Sequence, residues 1–438
     1  MMTKKLLALA LTLALTMGLF VACGNNNQTV ETTPSAEATN ETTDNQAETT
    51  PSEEPAEVSQ EVTGDPIKIG HIADLTGVES SVGIQAKEAL EFAVEAMGGK
   101  IGNRPIEIIT EDSQSTASVA ADVAKKLVEQ DKVVAILGPT QIGHKSTVSE
   151  YIKEAGIPLI FYNGTPAGLF KSNPWLVGSA GATPQMPTVM ADYVYNEMGY
   201  ETVHTLSMEN TGGRSYIDPF VEAYEALGGA IATQVWVPQN TEDFSPYLVS
   251  LKEADALVAW TSSSDAIALW KVWSDLGLTE KLPIVAAFHG GMTDYFVPLA
   301  VSKSNPAAAE AMLGTVAPIM YTYSIDIPEN KAFVEAWTAK FGAIPPGSNL
   351  PGDVYTALLL LKTAVESLDG DTTPDKLIEA IFAADITGPA GHLYFADGSH
   401  AATKDVYVVK VVKLDNGSYN YEVVKTYSDV PPEGLAAS

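Results

Sequence analysis

Three short polar stretches hold the residues of this sequence best placed to bind something. Residues 138–141 (GPTQ) follow the apolar run 133–137, and residues 162–165 (YNGT) follow the apolar run 157–161. A third stretch, 75–83 (LTGVESSVG), follows the run Ile67–Ala73 and opens an amphipathic segment. Hydroxyls there, with free backbone N–H groups at a helix start, can hold an anionic group such as a carboxylate. Gly, Pro, Asn and Thr also favour plain turns, so each stretch alone has a second reading. What unites them is position, since ligands of an open α/β sheet lie outside the carboxyl ends of its strands.

Catalytic chemistry finds less support. The sequence has no Gly-x-Gly-x-x-Gly, Walker loop, His-Glu-x-x-His or Gly-x-Ser-x-Gly. Gly178-Ser179-Ala180-Gly181 lacks the glycine spacing of a nucleophile elbow. Glu111-Asp112 could pair as acid and base, but a solvated face is the plainer reading. The histidines at 71, 144, 204, 289, 392 and 400 show neither metal-ligand spacing nor triad partners. No catalytic residue, metal or cofactor is therefore expected, and an enzyme would need a nucleophile with a base in reach.

The elements that position the polar stretches alternate. Ile67–Ala73, 106–110, 133–137 and 157–161 read as strands, and 83–97, 117–129 and 145–155 as helices. The continuous apolar run 133–137 suits a strand buried on both faces. The same beat resumes with helices at 187–198, 217–227 and 266–276 and strands at 202–207, 231–237, 257–260 and 284–287. Helices at 330–341, 353–368 and Pro374–Phe382 follow. Asp415-Asn416-Gly417 between the alternating runs 406–413 and 419–427 predicts a closing hairpin. The class is α/β, with parallel sheets covered by helices in two consecutive blocks.

The chain has 438 residues and a net charge of -30. So acidic a surface disfavours nucleic acid, which needs a lysine- and arginine-rich face. With one cysteine, Cys23, no internal disulfide can form. Residues 1–22 read as a secretory signal: Lys4 and Lys5 precede an uncharged run, 6–22, too short for a comfortable membrane span. Residues 24–64 carry acidic but no basic side chains and little apolar surface, so they read as a disordered spacer. The folded part is expected from Asp65 onward, in two lobes.

Phe20-Val21-Ala22-Cys23 resembles a bacterial lipobox, with Phe20 where Leu is usual; lipidation of Cys23 would follow. The folded part resembles the branched-chain amino-acid-binding family of ABC-transporter substrate-binding proteins. The resemblance runs through Ile67-Lys68-Ile69-Gly70, Asp74-Leu75-Thr76-Gly77, Gly99-Lys100-Ile101-Gly102-Asn103-Arg104-Pro105, Glu111-Asp112-Ser113, Ile136-Leu137-Gly138-Pro139 and Ile157-Pro158-Leu159-Ile160. It ends in Gly388-Pro389-Ala390-Gly391-His392-Leu393-Tyr394-Phe395. It implies a type I periplasmic-binding fold: two doubly wound lobes, 65–183 plus 319–395 and 184–318 plus 396–438, joined by three crossover strands around a ligand cleft. It also implies a monomer that binds a small molecule by lobe closure and hands it to ABC permease subunits at the outer face of the membrane. A ligand-presenting sensor of the same fold is the first rival, followed by a surface hydrolase and an adhesin.

The resemblance implies ligand contacts from Ser80, Ser81 and Val82, from Thr140, Gln141 and Ile142, and from Asn163, Gly164 and Thr165. The second lobe would add Gly212 and Arg214, Trp260 and Ser262, and Phe288 and His289, with Tyr321 near a hinge strand. Three positions depart from the family pattern. Phe288 or His289 stands where an acid usually meets the ligand ammonium, Ile142 where a small hydroxyl residue is usual, and Gly212 where an aromatic is usual. Arg214 has two readings, an anion clamp or a surface residue, as does Trp260, a stacking platform or a core residue. Loss of the acid weakens the case for an ordinary α-amino acid and leaves room for an amide, an aromatic acid or another small carboxylate.

Overall fold

The computed structural model describes residues 64–77 and 79–436. The signal, Cys23 and the spacer up to residue 63 lie outside the described residues. The first block runs β1 (Ile67–Ala73), α1 (Ser80–Ala96), β2 (Lys100–Ile101), β3 (Arg104–Asp112), α2 (Ala117–Lys126), β4 (Ala135–Leu137), α3 (Ile142–Ala155), β5 (Leu159–Phe161), α4 (Ala167–Phe170) and β6 (Leu176–Gly178). The second runs α5 (Gln185–Asp192), β7 (Thr202–Met208), α6 (Thr211–Ala226), β8 (Ala230–Val237), α7 (Ser245–Leu248), β9 (Ala256–Trp260), α8 (Ser263–Asp275) and β10 (Ile284–Ala286). After them come α9 (Phe296–Ser304), α10 (Pro306–Ala311), β11 (Val316–Ile319), α11 (Pro328–Phe341), α12 (Leu350–Ser367) and α13 (Pro374–Phe382). The chain closes with β12 (Asp385–Gly388), β13 (Gly391–Tyr394), β14 (Thr403–Lys413) and β15 (Tyr419–Val430).

Three sheets result. The first has the order β2-β3-β1-β4-β5-β6 and is parallel apart from β2. Its central strands are apolar almost without interruption because helices cover both faces. The second, β10-β9-β7-β8, is wholly parallel. Strand order reverses beside β1 in the first sheet and beside β7 in the second. A crevice opens at the carboxyl ends of the strands at such a reversal, so the topology directs attention to the loops after β1, β4, β7 and β9.

The third sheet is antiparallel, with the order β11-β14-β13-β12 and β15 beside β14. Only its β14–β15 hairpin is foreseen by the sequence patterning; β11, β12 and β13 are too short to show a period. Among the described residues, no helix is long and apolar enough to cross a membrane.

One ion-pair cluster ties this third sheet together. His392 on β13 lies 2.8 Å from Asp385 Oδ1 on β12 through Nε2, and 2.8 Å from Asp429 Oδ1 on β15 through Nδ1. Partial burial lowers the ring's pKa, but the two carboxylates outweigh it and hold the value above the ordinary 6.5. A raised pKa adds stability that is complete below the ordinary value and disappears as pH climbs through the folded one. The wild type should therefore exceed His392→Gln in thermal midpoint at about pH 6, with the gap closing toward about pH 9. A gap that stays constant across a pH series of melting curves would contradict this coupling.

Candidate functional site

The loops after β1, β4 and β5 leave one edge of the first sheet, because these strands are parallel neighbours. Gly138 ends β4 with φ +100, and a Cβ there would collide with the Ile72 carbonyl oxygen of β1. Only glycine lets the two strand ends pass so closely. Thr140 Oγ1 then lies 2.9 Å from the Tyr162 hydroxyl, which is 3.1 Å from His71 Nε2. His71 Nδ1 completes the chain to Thr110 Oγ1 at 3.3 Å. Burial, with Lys87 nearby, pushes His71 down to about 3, so the ring is neutral. Burial pushes the Tyr162 phenol up, so it keeps its proton.

The 163–165 loop is clamped from two sides. Asn163 Nδ2 donates to the Thr140 carbonyl. Behind the loop, the buried Lys145 of α3 donates to Asn163 O at 2.9 Å, to Gly164 O at 2.8 Å and to Thr165 Oγ1 at 2.8 Å. In a trans peptide the N–H points opposite to the C=O. Lys145 draws the Asn163 and Gly164 carbonyls toward itself, so the N–H groups of Gly164 and Thr165 face the other way. Neither N–H has an acceptor among the described residues. Asn163 Oδ1 is likewise buried without a partner.

The second sheet sets an aromatic wall opposite. Tyr216 of α6 stacks on Phe288 at 4.5 Å and 7°, and meets Trp260 at 5.4 Å and 31°. Trp260 Nε1 donates to Gly290 O at 3.1 Å, which fixes the indole. The Tyr216 hydroxyl is buried and unpartnered. It lies 3.5 Å from where a Cβ on Gly164 would stand, so the wall meets the 163–165 loop across Gly164. A side chain at Gly164 would fill this approach.

His289 sits behind the wall with Nδ1 3.2 Å from Pro318 O and Nε2 3.1 Å from Asn349 Oδ1. Burial pushes its pKa down to about 4, so near neutrality the ring is neutral and donates to only one of these oxygens. The Asp294 carboxyl is 3.8 Å from His289 Nε2 and is raised to about 7 by burial, against the Gly291 N–H bond that favours its charged form. The second sheet thus holds an acid near the expected place, in a loop whose sequence did not mark it.

The structure therefore gathers Thr140, Asn163, Gly164 and Thr165 on one side and Gly212, Trp260, Phe288 and His289 on the other. Gly212 packs so close to the indole that a Cβ would stand 3.0 Å from Trp260 Cη2. Gln141 and Ile142 begin α3, and Ile142 is 40% exposed. Ser80, Ser81 and Val82 form the first turn of α1; Ser81 lines a separate groove of about 450 Å³ with Tyr295 and Trp337. Ser262 stands just before α8, where its hydroxyl donates to the Asp265 carboxylate rather than capping a backbone N–H. Tyr321 is fully buried against Gly352 of α12 and meets Phe333 edge-on.

Arg214 has surface partners. Its Nη2 is 2.8 and 3.0 Å from the Glu209 carboxylate, and its guanidinium lies 3.8 Å over the Trp236 ring. Residues 211–215, expected as a loop, are the first turns of α6. Asn210 caps the helix by accepting from Gly213 N at 2.9 Å. Gly213 fits because any Cβ would strike the Met208 carbonyl. Two participants escape a reading based on loops alone, Lys145 and Tyr216, while Tyr162 lies in the 162–165 stretch but is not among the expected ligand contacts. The signal for Tyr216 is helical spacing, since it stands one turn beyond Gly212 and restores the aromatic that Gly212 lacks.

Comparison with known proteins agrees with this geometry. A family model described as periplasmic binding protein matches residues 66–418. The Leu/Ile/Val-binding protein homolog 6 of Brucella suis is 24% identical over 378 residues, covering 85% of this chain and 94% of that protein. An ABC transporter substrate-binding protein from Sphaerobacter thermophilus superposes with a TM-score of 0.75 at 28% identity, covering 84% of this chain and 99% of that one. A solute-binding protein of an ABC transporter from Rhodopseudomonas palustris, solved with p-hydroxybenzoic acid, gives 0.74 at 24% identity over 85% of this chain and 100% of that one. With two parallel sheets whose strand order reverses at the site loops, this chain belongs to the periplasmic binding protein family and has the type I fold.

Proposed function

We propose that the protein captures a small carboxylate with a flat or branched apolar body and delivers it, unchanged, to the permease of an ABC importer. The carrying observation is the set of unpartnered polar groups that converge on Gly164: two N–H groups and Asn163 Oδ1 from one side, the Tyr216 hydroxyl from the other. Buried polar groups are normally paired, so such a set suits a ligand. The N–H pair matches a carboxylate. The face made by Tyr216, Phe288 and Trp260 matches a planar or branched hydrocarbon. The p-hydroxybenzoic acid held by the Rhodopseudomonas protein and the leucine-type name of the Brucella relative span the same two chemistries.

In this reading one lobe comprises 65–183 plus 319–395 and the other 184–318 plus 396–438. The solute binds the 163–165 loop first, and closure adds the aromatic wall. Only that differential contact drives the closure. The lipobox at Phe20-Val21-Ala22-Cys23 supports an anchor through lipidated Cys23.

The test is a thermal-shift panel of benzoate, 4-hydroxybenzoate, leucine and isoleucine, with mass spectrometry of any copurified solute. A true ligand at a hundred times its Kd stabilises by about 2.7 kcal/mol. No shift from any member and no copurified solute would remove the reading. Tyr216→Phe should leave the free protein as stable as before, because it deletes an unpaired hydroxyl. It should weaken solute affinity roughly three- to tenfold by calorimetry. Equal affinity in wild type and variant would take that hydroxyl out of the site.

A further inference from the structure

Two lysines are fully buried among the described residues, and they keep different company. Lys404 lies 3.0 Å from Asp353 Oδ1. Lys145 has no carboxylate partner among the described residues; it has three oxygens, those of Asn163, Gly164 and Thr165, and sits 4.8 Å over the Phe161 ring. An ammonium has three N–H groups to give, whereas a neutral amine has two and a lone pair that would face an oxygen. The two carbonyls can only accept, and the Thr165 hydroxyl gives its proton to Asn163 O at 3.1 Å, so all three oxygens accept and fit a charged lysine, against the pull of burial, which lowers its pKa well below the ordinary value.

A buried cation without a counter-ion is costly. Here it stands one peptide behind the surface that faces Tyr216, at the loop whose N–H groups lack acceptors. Both effects of Lys145 act in one direction. Its hydrogen bonds turn those N–H groups outward, and its charge raises the potential where they point.

We propose that Lys145, clamped to the back of the Asn163–Gly164–Thr165 loop with no carboxylate beside it, is a positioning residue that makes the cleft select solutes carrying a free carboxylate over the corresponding amides. This rests on the solute-binding reading above and narrows its ligand class. The anion supplies the charge that the lysine lacks, while the apolar body of the solute is read separately by the aromatic wall.

The experiment compares acid and amide pairs on the full protein by calorimetry: benzoate with benzamide, 4-hydroxybenzoate with 4-hydroxybenzamide, and isoleucine with isoleucinamide. Wild type should favour the acid of a bound pair by roughly ten- to a hundredfold, the size of a full charge acting across one peptide. Lys145→Met should bring that ratio down to within a few-fold of one, even where it weakens both compounds by loosening the loop. A lysine that merely braces the loop would weaken acid and amide alike and leave the ratio unchanged; that result overturns the proposal. The wild-type ratio tests it even if Lys145→Met does not fold, since equal binding of acid and amide, or preference for the amide, overturns it with the solute-binding reading intact. Binding of none of the six compounds overturns the ligand class and this inference together.

Discussion

Replacing Lys404 with methionine should lower the stability of the free protein by about 3–5 kcal/mol. Lys404 on β14 and Asp353 on α12 form a 3.0 Å ion pair with each side chain only 1% exposed. Methionine fills much of the lysine volume, so little of the loss comes from packing. What remains is an Asp353 carboxylate inside the protein with only the Asn349 amide, at 2.7 Å, to satisfy it. Removing both charges, as Lys404→Met with Asp353→Leu, should recover most of the loss, because a buried pair adds little net stability over apolar replacements. Denaturant melts of the two singles and the double give the coupling. A Lys404→Met cost below about 1 kcal/mol would show that water reaches Asp353.

That ion pair also reaches toward the site. Asn349 donates to Asp353 and turns its carbonyl oxygen to His289, 3.1 Å away. A single relay thus runs from the third sheet through α12 to the loop after β10. Strain introduced at Lys404 should propagate along it, and the double variant should bind solute closer to normally than the single.

Trp270→Ala should cost a similar 3–5 kcal/mol and weaken solute binding as well. Trp270 is fully buried on α8 and meets Trp273 edge-on at 5.3 Å. Its Nε1 donates to Met292 O at 3.0 Å, while Trp260 Nε1 holds Gly290 O at 3.1 Å. The loop that carries Phe288, His289 and Asp294 hangs from these two indoles. Trp270→Phe keeps a six-membered ring in place but removes the N–H bond and part of the ring area, so it should cost about 1 kcal/mol of hydrogen bonding beyond the lost area. Chemical melts with calorimetry on both variants separate the two losses. Unchanged solute affinity in a folded Trp270→Ala protein would release the loop from the indole.

Much of the fold is visible in local patterning. The reading places β1 at Ile67–Ala73 and α13 at Pro374–Phe382, the limits that the structure has. A buried parallel strand announces itself by an unbroken apolar run, and proline at the first turn marks a helix start. The reading fails where the deciding contact is distant. The periodicity predicts a helix only from Ile217, whereas α6 begins at Thr211; the Asn210 cap and the close packing of Gly213 on Met208 and of Gly212 on Trp260 hold 211–216 in the helix. Strands β11 to β13 are four residues each, and only pairing makes them strands, β11 and β13 with β14 and β12 with β13.

The site divides in the same way. Thr140, Asn163 and Thr165 follow apolar runs and can be found by position. Trp260 and Phe288 can be found by resemblance, but the ring between them, Tyr216, comes from a helix face that no loop motif marks.

From its residues alone, this protein has its α/β alternation, its acidic surface and the placement of its polar loops at strand ends, because these follow from side-chain period, charge and turn chemistry along the chain. Tertiary structure alone decides that Lys145 turns two carbonyls inward, that Tyr216 comes opposite Gly164 and that Arg214 is engaged by Glu209. Each of these depends on groups from separate elements meeting within hydrogen-bonding or stacking distance, and no local spacing encodes such a meeting.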